Sequence, residues 1–381
     1  MTLNKKRIVF LTGTRADFGK LKSLIRITQD SEMFDVHIFA TGMHMNTRYG
    51  KTVEEIHKSG FRNIYPYINH DTIDHMDRTL AKTIDGFSHY IAEMRPDLIV
   101  IHGDRVEALA GAIVGSLNNI LVAHIEGGEI SGTIDESIRH AVSKLSHYHL
   151  VSNDEAKKRL IQMGEDEQSV FVIGSPDMDI MFSPNLPALE KVLAYYEIPF
   201  EKYAIAMFHP VTTEVERMKE YAENFVDALI RSKDNFVVVY PNNDIGSEAI
   251  LNAYEKLKEH PSFRIFPSLR FEYFLTLLKH AQYMIGNSSA GVREAPAYGI
   301  PSIDIGTRQS NRARSETVIH ADYRTQEILK AINRAKNIPY EIRRKAESPF
   351  GTGKSDRRFF ELLKKKEFWE IDIQKKFNDI L

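Results

Sequence analysis

A chain of 381 residues is too long for one ordinary core, and at about 100–200 residues per domain it fits two. Its 43% hydrophobic and 27% charged content, with 21 Gly and 14 Pro, excludes collagen-like, disordered and low-complexity classes, while 50 Lys and Arg against 52 Asp and Glu leave a net charge of −2, with no global basic field for nucleic acid or an anionic membrane. The absence of cysteine excludes disulfides, thiolate zinc sites and cysteine nucleophiles together, and agrees with a cytoplasmic location.

The opening MTLNKKRIVFLTGTRADFGK begins basic, but its short apolar run leads into a Gly, Arg and Asp turn instead of a small-residue cleavage site. No run elsewhere approaches the ~18 apolar residues of a membrane span, so neither a signal peptide nor a span is expected. Short β-branched runs then recur with helical patterns between them: RIVFLT (7–12), VHIFAT (36–41), DLIVIH (97–102), ILVAHI (120–125), HYHLVS (147–152) and VFVIG (170–174). Such alternation predicts a parallel sheet wrapped by helices. A break follows at Ser183-Pro184-Asn185-Leu186-Pro187, and the grammar restarts with YAIAMF (203–208), FVVVYP (236–241), RIF (264–266), YMIGN (283–287) and PSIDIG (301–306). The expected fold class is α/β with two Rossmann-like doubly wound domains, residues 1–183 and 184–355. Residues 356–381, rich in Lys, Phe and Leu and holding the one Trp at 369, are expected to form a C-terminal helix packing back across the domains.

In open parallel sheets the ligand crevice lies at the carboxyl ends of the strands, so the residues just after each apolar run carry the chemistry. Strand 97–102 ends in His102-Gly103-Asp104-Arg105, with Glu107 following, and strand 120–125 ends in Glu126-Gly127-Gly128-Glu129. Thr133-Ile134-Asp135-Glu136 reads as a capping box, which puts Asp135 in the first turn of the next helix. Any one of these acids would ordinarily serve a helix dipole or a surface ion pair. Three converging on one crevice point instead to proton transfer, since repulsion and burial separate the pKa values of clustered carboxylates.

Thr12-Gly13-Thr14-Arg15-Ala16-Asp17-Phe18-Gly19 joins the first strand to the first helix. Free amides at a helix start and the forked Arg15 suit a phosphate or sugar diphosphate, although β–α loops need small residues for structure alone. In the second half, Gly286-Asn287-Ser288-Ser289-Ala290-Gly291-Val292-Arg293-Glu294 follows a strand and reads as the opening of a helix. Its hydroxyls and amides make a diphosphate cradle, with Glu294 further inside to accept from a ribose diol. His209 ends strand 203–208 and Arg308 follows strand 301–306, both at the crevice edge. His147 and His149 share one strand face near His140, but the spacing lacks an unclaimed carboxylate, so no metal is expected. Lys364-Lys365-Lys366 reads as a solvated face. Carboxylates on the first domain and a nucleotide cradle on the second imply a nucleotide-sugar enzyme of the glycosyltransferase-B type, with the substrate in the interdomain cleft.

The blocks TGTRADFGKL (12–21), IHGDRVEALAG (101–111), HIEGGEISGTIDESIRHAVSKLSH (124–147), MFHPVTTE (207–214), YPNND (240–244), RFEYFLTLL (270–278), GNSSAGVREAP (286–296) and DIGTRQSNR (304–312) closely resemble bacterial hydrolysing UDP-N-acetylglucosamine 2-epimerases of the sialic-acid capsule pathway. Matching blocks run from residue 7 to about 324. Non-hydrolysing relatives usually show GDTTT and HVEAGLR where this sequence reads GDRVE and HIEGGEI, so the resemblance is to the hydrolysing branch. It implies conversion of UDP-N-acetylglucosamine and water to N-acetylmannosamine and UDP, by elimination to a 2-acetamidoglucal and hydration, with no redox cofactor. It further implies Asp104, Glu126 and Asp135 as catalytic carboxylates, and Arg15, Arg105, His209, Asn242, Ser288, Ser289, Glu294 and Arg308 as substrate contacts. A homodimer or homotetramer is implied as well. Three other readings compete: a hydrolysing 2-epimerase acting on UDP-N,N'-diacetylbacillosamine for legionaminic acid, a glycosyltransferase, which would need an acceptor, and a silent nucleotide-sugar sensor, which would have lost the acids.

Overall fold

A computed structural model describes residues 5–47, 50–69, 75–131, 133–309, 315–344, 350–351, 353–376 and 378–379. Gly132 and the end of the DIGTRQSNR block, residues 310–312, lie outside the described residues, as do the first four residues of the N-terminal segment. The chain divides into two compact units, one of Met1–Glu129, Asp135–Ser183 and Phe350–Leu381, the other of Ile130–Ile134 and Pro184–Pro349.

The first unit holds a seven-stranded sheet of β1 (Lys6–Thr12), β2 (Phe34–Ala40), β3 (Ile64–Pro66), β4 (Leu98–His102), β5 (Leu121–Ile125), β6 (Tyr148–Val151) and β7 (Val170–Val172). Its order is β3-β2-β1-β4-β5-β6-β7, and every pairing is parallel. Apolar residues fill both faces of the central strands because helices cover the sheet on both sides. Ile8 and Phe10 of β1 point to one core with Leu98 and Val100 of β4, while Val9 and Leu11 point to the other with Ile99 and Ile101. The helix Arg15–Gln29 covers the first face through Phe18, Leu21, Leu24 and Ile25. The helices Met76–Met94 and Val106–Leu117 cover the second.

The second unit repeats the plan with β8 (Ala204–Met207), β9 (Phe236–Val239), β10 (Phe263–Phe266), β11 (Met284–Gly286), β12 (Ser302–Ile305) and β13 (Val318–Ala321), in the parallel order β10-β9-β8-β11-β12-β13. In each sheet the chain reverses its direction of growth between two strands, β1 and β4 in the first and β8 and β11 in the second. Loops leave such a switch point in opposite directions and open a crevice at the strand ends.

Two strands escape the sequence reading. β3 and β13 are sheet edges, and the first carries Pro66 and the exposed Tyr65, a composition that edge strands tolerate and β-branched patterning does not reveal. The C-terminal segment also differs from expectation. Its helix runs Ser355–Leu363, and the segment from Phe350 onward packs within the first unit. Phe359, Leu362 and Leu363 enter the same core as β1, and the Phe368 ring stacks on Tyr148 with centroids 4.1 Å apart. Apolar residues at i, i+3 and i+4 make this a core-covering helix. No helix among the described residues is long and apolar enough to cross a membrane.

Candidate functional site

In the first unit the switch point is built around glycines and short caps. Thr14 caps the helix Arg15–Gln29 by accepting from the Asp17 amide at 3.1 Å, and the Asp17 carboxylate in turn accepts from the Gly13 amide at 3.0 Å. Arg15, the first residue of that helix, pairs with Glu55 at 3.0 Å. Gly13 and Gly42 leave room for Glu107, which is buried. A Cβ on Gly42 would lie 2.6 Å from both the Glu107 carboxylate and the Gly13 carbonyl.

At the end of β4, Gly103 turns the chain with φ +74°, which brings out Asp104. Its carboxylate accepts a hydrogen bond from Arg139, a buried residue whose other terminal nitrogen donates to the Glu129 carbonyl at 3.0 Å. Arg139 lies on the helix Ile134–Leu145, four residues after Asp135, which occupies the first turn as the capping spacing predicts. The helix that carries Asp135 is thus fastened to Asp104. Arg105 immediately precedes the helix Val106–Leu117, its Nε 3.4 Å from the Glu107 carboxylate.

Glu126, just past β5, adopts a left-handed φ of +64° and is buried. It accepts from the Ser175 hydroxyl and lies 3.1 Å from His102 Nε2 and 3.9 Å from Lys20. His102 Nδ1 lies 3.1 Å from Asp17, and Lys20 stands 3.2 Å from the fully buried Asp177. Burial opposes a charge on His102, but the Glu126 and Asp17 carboxylates overcome it and push its pKa up to about 9. The contrast with His124 is direct. It faces the Ser143 hydroxyl and the Gly103 carbonyl, and burial drives it down to about 3.

In the second unit Asn287 ties the strand ends together. Its Oδ1 accepts from the His209 amide at 2.6 Å, its Nδ2 donates to the His209 carbonyl at 2.8 Å, and its own carbonyl accepts from Gln309 at 2.8 Å and Arg308 at 3.4 Å. The Asn242 amide donates to His209 Nδ1 at 3.0 Å, so a neutral His209 ring carries its proton on Nε2 and is a donor there. Asn242 Nδ2 donates to Asp244 at 2.5 Å. Ser288 caps a short 3₁₀ turn, Ser289–Gly291, by accepting from the Ala290 amide at 3.4 Å. The single helix expected from Ser288 to Glu294 does not form. Glu294, buried, begins a separate helix of four residues, Glu294–Ala297. Pro296 lacks the amide that a continuous helix would donate to residue 292, so the run breaks there.

The expected residues therefore fall into two groups. Arg15, Arg105, Asp104, Glu126 and Asp135 lie in the first unit; His209, Asn242, Ser288, Ser289, Glu294 and Arg308 lie in the second. Sequence reasoning assigned nothing to Asp17, Lys20, His102, Arg139, Ser175 or Asp177, although His102 was visible as a strand-end residue and Asp17 and Lys20 share a helix face at i, i+3. His147 and His149 have protein partners. His149 pairs with Glu165 at 2.9 Å, and His147 is held by the Val122 amide and the Ile373 carbonyl. No cluster of three or more metal-type ligands occurs among the described residues.

The model of the UDP-N-acetylglucosamine 2-epimerase family matches residues 26–364. The chain belongs to this family of enzymes. A UDP-N-acetylglucosamine 2-epimerase of Neisseria meningitidis serogroup B is 49% identical over 378 residues, 98% of this chain and 99% of that protein. A UDP-N,N'-diacetylbacillosamine 2-epimerase (hydrolyzing) of Legionella pneumophila is 35% identical, covering 94% of this chain and 96% of that one. The solved structure of the Methanocaldococcus jannaschii UDP-GlcNAc 2-epimerase, in complex with UDP-GlcNAc and UDP, matches with a TM-score of 0.81 over 94% of this chain and 99% of that chain. At 24% identity that likeness speaks for the fold.

Proposed function

We propose that the chain hydrolyses UDP-N-acetylglucosamine with inversion at carbon 2, giving N-acetylmannosamine and UDP for sialic-acid synthesis. The observation that carries this reading is the 49% identity, over nearly the full length of both chains, with the Neisseria meningitidis epimerase. The diacetylbacillosamine-type relative stands further off at 35%.

The reaction divides into an elimination and a hydration. A carboxylate takes the hydrogen from C2 as the C1–O bond to UDP breaks, leaving a 2-acetamidoglucal. Water then adds its oxygen at C1 while a proton returns to C2 from the face that gives the manno configuration. The two proton transfers use different faces and call for different groups, for which we assign Asp104 and Asp135. Arg139 supports this pairing, since it holds Asp104 from the helix on which Asp135 sits. Glu126 is assigned to the water or to fixing the sugar. Departure of UDP needs its charge neutralised, a task assigned to Arg15, Arg105 and Arg308, the Nε2–H of His209, and the Ser288 and Ser289 turn, with Asn242 and Glu294 toward the nucleoside. As a cytosolic nucleotide sugar is the substrate, the enzyme works in the cytoplasm, and a homodimer or homotetramer is the assembly to look for by light scattering.

Supplying purified protein with UDP-N-acetylglucosamine or with UDP-N,N'-diacetylbacillosamine, and no acceptor, tests the reading. We expect free UDP and N-acetylmannosamine with a clear kcat/KM preference for the first substrate. A preference for the second moves the assignment to the legionaminic route, and UDP release only in the presence of an acceptor makes the protein a glycosyltransferase.

A further inference from the structure

We propose that Asp179 is a positioning residue: it clasps the returning C-terminal chain to residues 173–179 and thereby seats the Ser175 hydroxyl on Glu126. The proposal rests on the reading above only in that Glu126 is assigned there to the reacting sugar or water. Its foundation is the meeting, inside the first unit, of two stretches far apart in sequence.

The helix Ser355–Leu363 starts without a cap of its own, for Lys354 precedes it at φ +76° and offers no side-chain acceptor. The acceptor comes from the helix Pro176–Met181. There the Asp179 carboxylate accepts from the Ser355 amide at 2.7 Å, the Ser355 hydroxyl at 2.5 Å and the Asp356 amide at 2.9 Å. A helix start needs only a Ser, Thr, Asp or Asn just before it; here that task falls to the segment that also holds Ser175. Two further bonds join the same stretches on the other side of Ser175. The Ser175 amide donates to the Phe350 carbonyl at 2.8 Å, and Arg358 donates to the Ile173 carbonyl at 3.0 Å. The crossing is close: a Cβ on Gly351, which has φ +108°, would lie 3.2 Å from the Gly174 Cα.

From this anchored segment two side chains reach the acids of the site. The Ser175 hydroxyl donates to Glu126, and the fully buried Asp177 stands 3.2 Å from Lys20, whose ammonium is 3.9 Å from Glu126. Ser23, three residues beyond Lys20 on the helix Arg15–Gln29, donates to Asp179 at 3.3 Å, so that helix is joined to the segment at two successive places. Asp179 therefore acts on Glu126 through the backbone it anchors. Releasing the anchor lets Ser175 drift from the carboxylate, and a displacement of about 1 Å is enough to cost an active site up to about 10²-fold in rate.

A double-mutant cycle on kcat tests this, using the full-length protein, Asp179→Ala, Ser175→Ala and the double variant, all assayed below their unfolding temperatures. Asp179→Ala should lower kcat by about tenfold or more, with KM and the calorimetric affinity for UDP within a few-fold of wild type. In the Ser175→Ala background the same substitution should change kcat little, because the contact it seats is already gone. A merely structural role for Asp179 gives the same fold-loss in both backgrounds, and that result overturns the proposal, as does an unchanged kcat in Asp179→Ala or a loss of UDP affinity that matches the loss of kcat. Should Asp179→Ala fail to fold, Asp179→Asn, which keeps the size and one acceptor oxygen, carries the same cycle with a few-fold loss expected and the same outcomes deciding. The two possible failures are distinguishable: wild-type kcat in Ser175→Ala removes Glu126 from the chemistry, whereas a lowered kcat there with additive losses removes only Asp179.

Discussion

The Arg139 guanidinium gives Asp104 a counter-charge without burying the carboxylate completely, which suits the proton exchange proposed for it. Asp104→Asn should therefore lower turnover by roughly 10²-fold or more, as for loss of a general acid or base, while UDP affinity measured by calorimetry stays within a few-fold of wild type. Comparable loss of UDP affinity would show that the residue is a binding group. Protonation of buried histidines also sets the pH dependence of stability. His44 and His124 titrate at about 4 and about 3 in the folded chain and near 6.5 unfolded, so the unfolded state binds more protons and stability rises as pH climbs from 4 to 6.5. His102 has the opposite sign. Its folded value of about 9 exceeds the unfolded 6.5, so its contribution is complete below 6.5 and is lost as pH rises through 9. Urea unfolding across pH should show a maximum near 6.5, and His102→Gln should flatten the alkaline side. At this scale the sequence displayed the strand-end acids and the cradle residues, because position after an apolar run is a local property. The partners His102, Lys20, Asp177 and Arg139 were not legible, because each meets its carboxylate through the tertiary fold.

Elements differ in how plainly the sequence announces them. β1, β4, β5, β8 and β9 are buried on both faces, and their continuous apolar runs stood out. β3 and β13 lie at edges where composition is free, and they did not. The turn after β11, proposed to cradle the diphosphate, is tightly constrained. Gly286 has φ +137°, and a Cβ there would lie 1.9 Å from the Met207 carbonyl. Gly286→Ala should destabilise the protein by about 1–3 kcal/mol, the cost of a strained backbone, and weaken UDP binding with it, since Asn287 and Ser288 would shift together. Thermal unfolding and calorimetry on the variant check this. Unchanged UDP affinity would remove this turn from the nucleotide site.

Across the whole molecule the chain enters the first unit, leaves it, and returns at Phe350 to complete its core. The return was only half legible. The helical pattern after residue 355 was visible, but its destination is fixed by a few contacts, such as the Phe359 ring edge against Phe10 at 6.2 Å. Phe359→Ala should cost about 3–5 kcal/mol of unfolding free energy, because that ring is fully buried among β-strand side chains. A cost below 1 kcal/mol would mean that the tail is dispensable to the core. The residues proposed for the chemistry divide between the units, with Asp104, Glu126 and Asp135 in the first and His209, Asn242, Ser288, Ser289, Glu294 and Arg308 in the second. Incubating the protein with UDP-N-acetylglucosamine in heavy water, with no acceptor and no added metal, and analysing the sugar by NMR tests that account most directly. We predict N-acetylmannosamine bearing deuterium at C2 together with free UDP; product that retains protium at C2, or an intact UDP-sugar of the manno series, would contradict it.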